Sequence, residues 1–191
     1  MPDLFQAEAP TGRGKVLALS AVVLVAVAAA VFFTWFHHED HAFAEASITN
    51  VQIVPIHTVY KHEIGEEATD RTEDVTYLIA HVAVLNRFRA PLFVKDITAD
   101  ITDADGVDRH SAAAEPRDIA VVIASFPQLK SALDAAGAPL RRETNIAPNT
   151  SADGYVLLQF PIGEKAWQGR QASTLKIDFY HNSSIATAFP K

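Results

Sequence analysis

The chain has 191 residues, 49% of them hydrophobic and 20% charged, enough for one well-cored domain plus an extra segment but short for two domains of ordinary size. A formal net charge of -7 without clustered Lys or Arg excludes a phosphate-backbone partner, so no nucleic acid is expected. The lack of cysteine excludes disulfides, thiolate metal sites and a Cys nucleophile.

The first element covers 16–36, VLALSAVVLVAVAAAVFFTWF, where only Ser20 and Thr34 interrupt an apolar run. As a helix it would be roughly 31 Å long at about 1.5 Å per residue, matching a bilayer core, and this predicts an N-terminal transmembrane helix. Arg13 and Lys15 precede the span and the next basic residue is Lys61. The positive-inside rule therefore makes 1–15 a short cytoplasmic N-terminus and the C-terminal domain extracytoplasmic, a single-pass protein of the inner or plasma membrane. The alternative is a cleaved signal peptide and a periplasmic or secreted product, because Ala42 and Ala44 form an A-x-A pattern. Against cleavage, the apolar run is longer than the usual core of a signal peptide.

Residues 37–46 read as a juxtamembrane tether. Within it His37 and His41 are four apart and would share a helix face, with His38, Glu39 and Asp40 beside them, which makes His37, His38 and His41 candidate Zn or Cu ligands. The plainer reading is that polar residues mark the end of the membrane helix. Periplasmic metal handling is thus the alternative to the main functional reading below.

From 47 to 191 the hydrophobic pattern changes to that of strands. Residues 48–60 are β-rich, with Pro55 pointing to an edge strand or a bulge because it cannot donate to a ladder. The acidic stretch 61–74 is a solvated loop or, more sharply, a docking surface for a basic partner through Glu66 and Glu67. Residues 75–85 are apolar on both alternating faces, which suits a strand covered on both sides. Residues 97–102 and 107–110 flank Asp103, Asp105 and Gly106, which read as a hairpin connection. With Asp100 and Asp108, the same acids also suggest a calcium loop, but the EF-hand spacing is missing.

A helical insertion follows at about 116–139. Pro116 opens it, an apolar stripe runs through Ile119, Val122, Ile123 and Phe126, Pro127 divides it, and Gly137 and Pro139 end it. Strands are then predicted over 155–160 and 175–180, with a helical turn between them whose Trp167 reads as a core plug. In the last strand Leu175, Ile177 and Phe179 alternate with Lys176, Asp178 and Tyr180, giving one buried and one outward face.

These short strands with turn signals predict a mainly β fold, a β-sandwich with a helical insertion, preceded by the transmembrane helix. The series LIAHVAVLNRFRAPLFVKDITADITDADG, IAPNTSADGYVLLQFPI and LKIDFY, with Asn86 ending a strand and a turn over 148–154, resembles immunoglobulin-like β-sandwich domains of membrane-anchored bacterial envelope proteins over 48–190. The resemblance implies a fold and a location, and carries no catalytic residue. No G-x-S-x-G, H-E-x-x-H, P-loop or dinucleotide motif is found, so no catalytic residue and no cofactor are expected. His81, and the sequence neighbours Asp178, His181 and Ser183, are isolated enzymatic possibilities. The expected function is a non-catalytic, membrane-anchored extracytoplasmic interaction module meeting another envelope protein.

Overall fold

The computed structural model describes residues 23–29, 31–32, 43–60 and 71–191. The chain divides into two units, Met1–His41 and Ala42–Lys191. In the first, the described residues are helical.

The expected membrane anchor is corrected here. A bilayer needs a continuous helix of about 20 residues; the helical positions described within 16–36 are 23–29 and 31–32, and the rest lie outside the described residues. Among the described residues no single helix is long and apolar enough to cross a membrane. The one pair that would pass by length and composition together is internal, Pro116–Ser125 with Pro127–Ala136, bent by 119°. The single-pass placement, the extracytoplasmic assignment and the membrane as a partner fall with the anchor.

The second unit is mainly β with a helical insertion between strands. Its first strand, β1 (Ala44–Tyr60), begins inside the stretch read as a tether, because Ala44 is buried and pairs with Asn86. It is followed by β2 (Arg71–Asn86), β3 (Leu92–Thr102), β4 (Asp108–Ala112), helices α1 (Pro116–Ser125) and α2 (Leu129–Ala136), β5 (Asn145–Ile146), β6 (Ser151–Phe160), helix α3 (Glu164–Gln168), β7 (Ala172–Phe179) and β8 (Ile185–Ala188). A three-stranded sheet has the order β1-β2-β6 and a second has β4-β3-β7-β8, with β5 also on β3. The named strand pairs are all antiparallel.

The apolar stretch of β2 explains the layering. Side chains alternate along a strand, so Leu78, Ala80, Val82 and Val84 face the second sheet and meet Ile97, Ala99 and Ile101 of β3 and Leu175, Ile177 and Phe179 of β7. The other face of β2 is equally buried. Tyr77 and Ile79, with Tyr155 and Leu157 of β6, form a separate cluster with Ile119 of α1 and Leu129, Ala132 and Leu133 of α2. The insertion is therefore a third layer on the outside of the first sheet. Pro116 starts α1 where a missing N–H loses no bond, and Pro127 breaks the run so that two short helices can follow the sheet surface.

The free edge of β6 is closed by chain from this insertion. Tyr155 N–H donates to Ala138 O at 3.0 Å and Leu140 N–H donates to Tyr155 O at 2.8 Å. This approach requires Gly154: a Cβ there would lie 2.6 Å from Leu140 N and 2.8 Å from Ala138 O. Gly154→Ala is expected to destabilise by about 1–3 kcal/mol, the range for forcing backbone apart, despite a stiffer unfolded chain. Urea unfolding checks this, and an unchanged or raised midpoint would refute the packing argument.

Candidate functional site

Five of the residues singled out from the sequence, His37, His38, His41, Glu66 and Glu67, lie outside the described residues. Among the described residues no group of three or more His, Cys, Asp or Glu side chains could hold a metal ion. Two of the histidines meet one carboxylate each. His57 Nδ1 lies 2.6 Å from Asp74 and His110 Nδ1 lies 2.7 Å from Asp100, each across directly opposed strand positions. The metal-handling alternative is withdrawn with the anchored-module reading.

The acidic 103–108 turn is a hairpin cap. The buried Asp103 accepts through Oδ1 from the N–H groups of Asp105 at 3.0 Å and Val107 at 2.9 Å, and through Oδ2 from Arg109 Nε at 3.1 Å. Asp108 instead accepts from Thr102 Oγ1 at 2.7 Å. With Arg109 Nη2 also 3.1 Å from Oδ2, the carboxylate that a calcium ion would need is committed to the turn and to Arg109. The Val107 N–H holds the Asp103 carboxyl below the usual carboxylate range, burial opposes this, and Arg109 and the Asp105 N–H add to the lowering. A lowered folded value means the ionised form stabilises the fold above the ordinary Asp value of about 4, and that the contribution is lost as pH falls through the folded value. Asp103→Asn should therefore show a flatter loss of urea midpoint than the unchanged chain from about pH 4 downward. Parallel acid limbs would remove Asp103 from the account.

The arrangement that reads as a site is at one end of the sandwich, where β2 leads into β3 and β7 turns into β8. Phe93 and Tyr180 are 42% and 36% exposed there, and Tyr180 N–H donates to Phe93 O at 3.0 Å. Beside them an open basin of about 670 Å³ is lined by Lys95, Phe179, Tyr180, His181, Asn182 and Ser183. Two irregularities shape it. The pairing of β3 with β7 shifts register between Val94 and Asp96, leaving Lys95 as the extra residue of a bulge. His181 has a φ of 63°, a left-handed conformation rarely taken by residues with a side chain.

The strain is concentrated at this end. Glu143 (φ 62°) donates its N–H to Val94 O, and Asn149 (φ 56°) sits in the turn whose Thr150 O accepts from Asn86 N–H. Left-handed residues other than glycine gather at binding and switching sites more than elsewhere. Two cationic side chains border the basin, Lys95 and Arg142, and Arg142 is paired with Glu115 at 3.5 Å. Arg142 Nε donates to Lys95 O at 2.9 Å, and its guanidinium is held above its ordinary value by Asp96, with Glu115 and the Tyr180 hydroxyl contributing further. Lys95 forms no ion pair among the described residues.

The catalytic possibilities separate in space or in bonding. Asp178 pairs with Lys176 at 3.0 Å, while His181 and Ser183 line the basin. His81 lies on the outer face of β2 beside the end of α2, half-buried, with Thr49 Oγ1 at 3.4 Å from its Nδ1. The sequence signals for the loop end were weak: an aromatic at an outward strand position, and a His-Asn pair, residue types that tolerate positive φ.

Fold and site define a two-sheet, mainly β domain with a helical insertion and a loop end that exposes two aromatic side chains. No protein-family model matches the chain, and no curated protein matches it. Among solved structures, the yjhA protein from Bacillus subtilis is similar over 76% of this chain and 90% of its own, with 14% identity and a TM-score of 0.42. The structural-genomics target SoR45 is similar over 73% of this chain and 82% of its own, with 8% identity and a TM-score of 0.33. Likeness at these levels carries no conclusion about role, and none of it ties the chain to immunoglobulin-like envelope proteins.

Proposed function

We propose that the domain is a non-catalytic binding module that meets an acidic protein partner through its loop end. The observation that carries this is the exposed aromatic pair Phe93 and Tyr180, held between a bulge and a left-handed turn and flanked by Lys95, His181 and Arg142. Exposed aromatics beside arginine are the residue types that dominate binding energy at interfaces. Lys95, which forms no ion pair among the described residues, favours a carboxylate on the partner.

The sheet order supports the immunoglobulin-like resemblance as part of the same proposal. The first, second and sixth strands share one sheet and the fourth, third, seventh and eighth share the other. In such sandwiches the connection between the second and third strands and the last hairpin lie at one end and serve recognition. That end is the one occupied here by Phe93 and Tyr180.

The test is photo-crosslinking in cells with p-benzoylphenylalanine in place of Phe93, and separately in place of Thr98 on the same strand. A discrete adduct from position 93 and none from position 98 is expected. With the captured protein purified, Tyr180→Ala should weaken binding by about 30-fold or more, the scale of an interface anchor. No adduct at 93, or equal adducts at both positions, would overturn the assignment.

A further inference from the structure

The sandwich has four sheet edges, and they are not treated alike. A sheet edge exposes N–H and C=O groups that can template another strand, and folded proteins usually keep such edges short or cover them. The edge strands of the second sheet are short: β4 has 5 residues and β8 has 4. The β6 edge is closed from Tyr155 to Gln159, since Gln159 N–H donates to Ser111 Oγ, Ala114 N–H to Leu157 O, and Ala138 and Leu140 bracket Tyr155. The long edge that remains is β1, at 17 residues the longest strand, and among the described residues no strand pairs with its outer side.

Two local features delimit the usable part of that edge. The register shift between Ile48 and Asn50 distorts it below Asn50, and Pro55, which has no N–H, interrupts it above Val54. Residues 50–54 form the regular window between them. Directly beside this window, on the outer face, is a notch of about 230 Å³ lined by Asn50 and Gln52 of β1, Ile79 and His81 of β2, and Ala135 and Ala136 of α2. The side-chain amides of Asn50 and Gln52 make no hydrogen bond among the described residues, and the contact of His81 Nδ1 with Thr49 Oγ1 is long at 3.4 Å. An unused row of backbone groups and an unused set of amide donors and acceptors therefore adjoin.

We infer that the 50–54 edge of β1 takes up an extended segment of a partner protein by strand addition, and that the notch reads one of its side chains. Strand addition draws affinity from main-chain bonds and specificity from pockets beside the edge that receive alternate side chains. A strand added to β1 would raise alternate side chains on the side of Asn50 and Gln52, next to the end of α2. The two amides and the imidazole each offer donor and acceptor atoms, so the side chain that fits is itself both, a carboxamide of the Asn or Gln type. The small Ala135 and Ala136 leave room for it. This surface is distinct from the aromatic loop end.

The test is amide hydrogen exchange by NMR on the isotope-labelled full chain with a capped heptapeptide, Lys-Thr-Val-Gln-Val-Thr-Lys. With free peptide about ten-fold above its dissociation constant, the outward amides within 50–54 should exchange about ten-fold more slowly. The same peptide N-methylated at alternate backbone nitrogens should give no protection. A version with leucine for the central glutamine should bind less well to the unchanged chain and equally well to the Asn50→Ala, Gln52→Ala double variant, whose exposed substitutions leave the core intact. Unchanged exchange at millimolar peptide would overturn the inference, as would protection by the N-methylated peptide. Protection that rises with protein concentration alone would overturn it in favour of a second copy of this chain on the β1 edge.

Discussion

Trp167→Ala is expected to lower the free energy of unfolding by about 3–5 kcal/mol, the range for removing a large buried aromatic. Trp167 is only 2% exposed and lies where α3, the end of β6 and the chain after β8 converge. Its ring stacks on Phe160 at 6.2 Å between centroids and meets Phe189 edge-on at 5.7 Å. The Arg170 guanidinium covers the ring at 4.0 Å, donates to Trp167 O at 3.0 Å, and also donates to Pro190 O. Burial holds that guanidinium below its ordinary value. One indole thus fastens the last residues of the chain to the space between the sheets. Phe189→Ala should cost a comparable amount, and the double variant should cost less than the sum by about 0.5–1.5 kcal/mol, the coupling of an aromatic pair. Urea titration followed by circular dichroism gives all three values; a loss under about 1 kcal/mol for Trp167→Ala would mean that the site collapses around the vacancy.

How far the fold was legible depended on whether periodicity or tertiary contact fixed each element. The alternation of Leu175, Ile177 and Phe179 located β7 and put Tyr180 outward, which matches its exposure. The apolarity of β2 on both faces announced two covering layers, and these are the second sheet and the helices. Pro116, Pro127 and Gly137 marked the insertion because each acts on its own backbone. In contrast, β5 has two residues and β8 four, and both exist only because β3 and β7 present edges to them. The sheet order and the closure of β6 are likewise products of docking.

The candidate sites were less legible, for a related reason. Chemistry read from a sequence favours local clusters, and so it selected His37, His38, His41, Glu66 and Glu67. The groups that the fold brings together come from distant positions: Lys95 with His181 at the loop end, and Gln52 with His81 and Ala135 at the notch. The bulges that aim Lys95 and interrupt β1 insert one residue without disturbing composition, so no pattern betrays them. The membrane reading failed in another way. Apolar length is a necessary property of a spanning helix, and it was treated as sufficient; the described helix pair that would pass the same test by length and composition lies in the helical layer on the first sheet.

Asn86→Asp should be as damaging as the loss of the indole and should change the sign of the pH dependence. Asn86 is fully buried at the end of β2. Its Nδ2 donates to Ala90 O and to Ile146 O, each at 2.9 Å, and its Oδ1 accepts from Phe88 N–H at 2.8 Å. One side chain therefore ties the 87–91 connection to β5. Asn86→Ala leaves these backbone groups buried and unpaired, and is expected to destabilise by about 2–4 kcal/mol, somewhat more than one orphaned group. Asn86→Asp places a second carboxyl oxygen against the two carbonyls and, once ionised, buries a charge without a partner. Burial raises the folded value of the introduced carboxyl above its unfolded value of about 4, so its penalty is small below that pH and grows as pH rises through the folded value. Its urea midpoint, relative to Asn86→Ala, should therefore improve on going from pH 7 to pH 5, where the protonated form can donate to one carbonyl. The two variants keeping a constant difference across that range would show that the carboxyl escapes to solvent. Because the same tie positions the start of β3, both variants should also weaken binding at Phe93 and Tyr180.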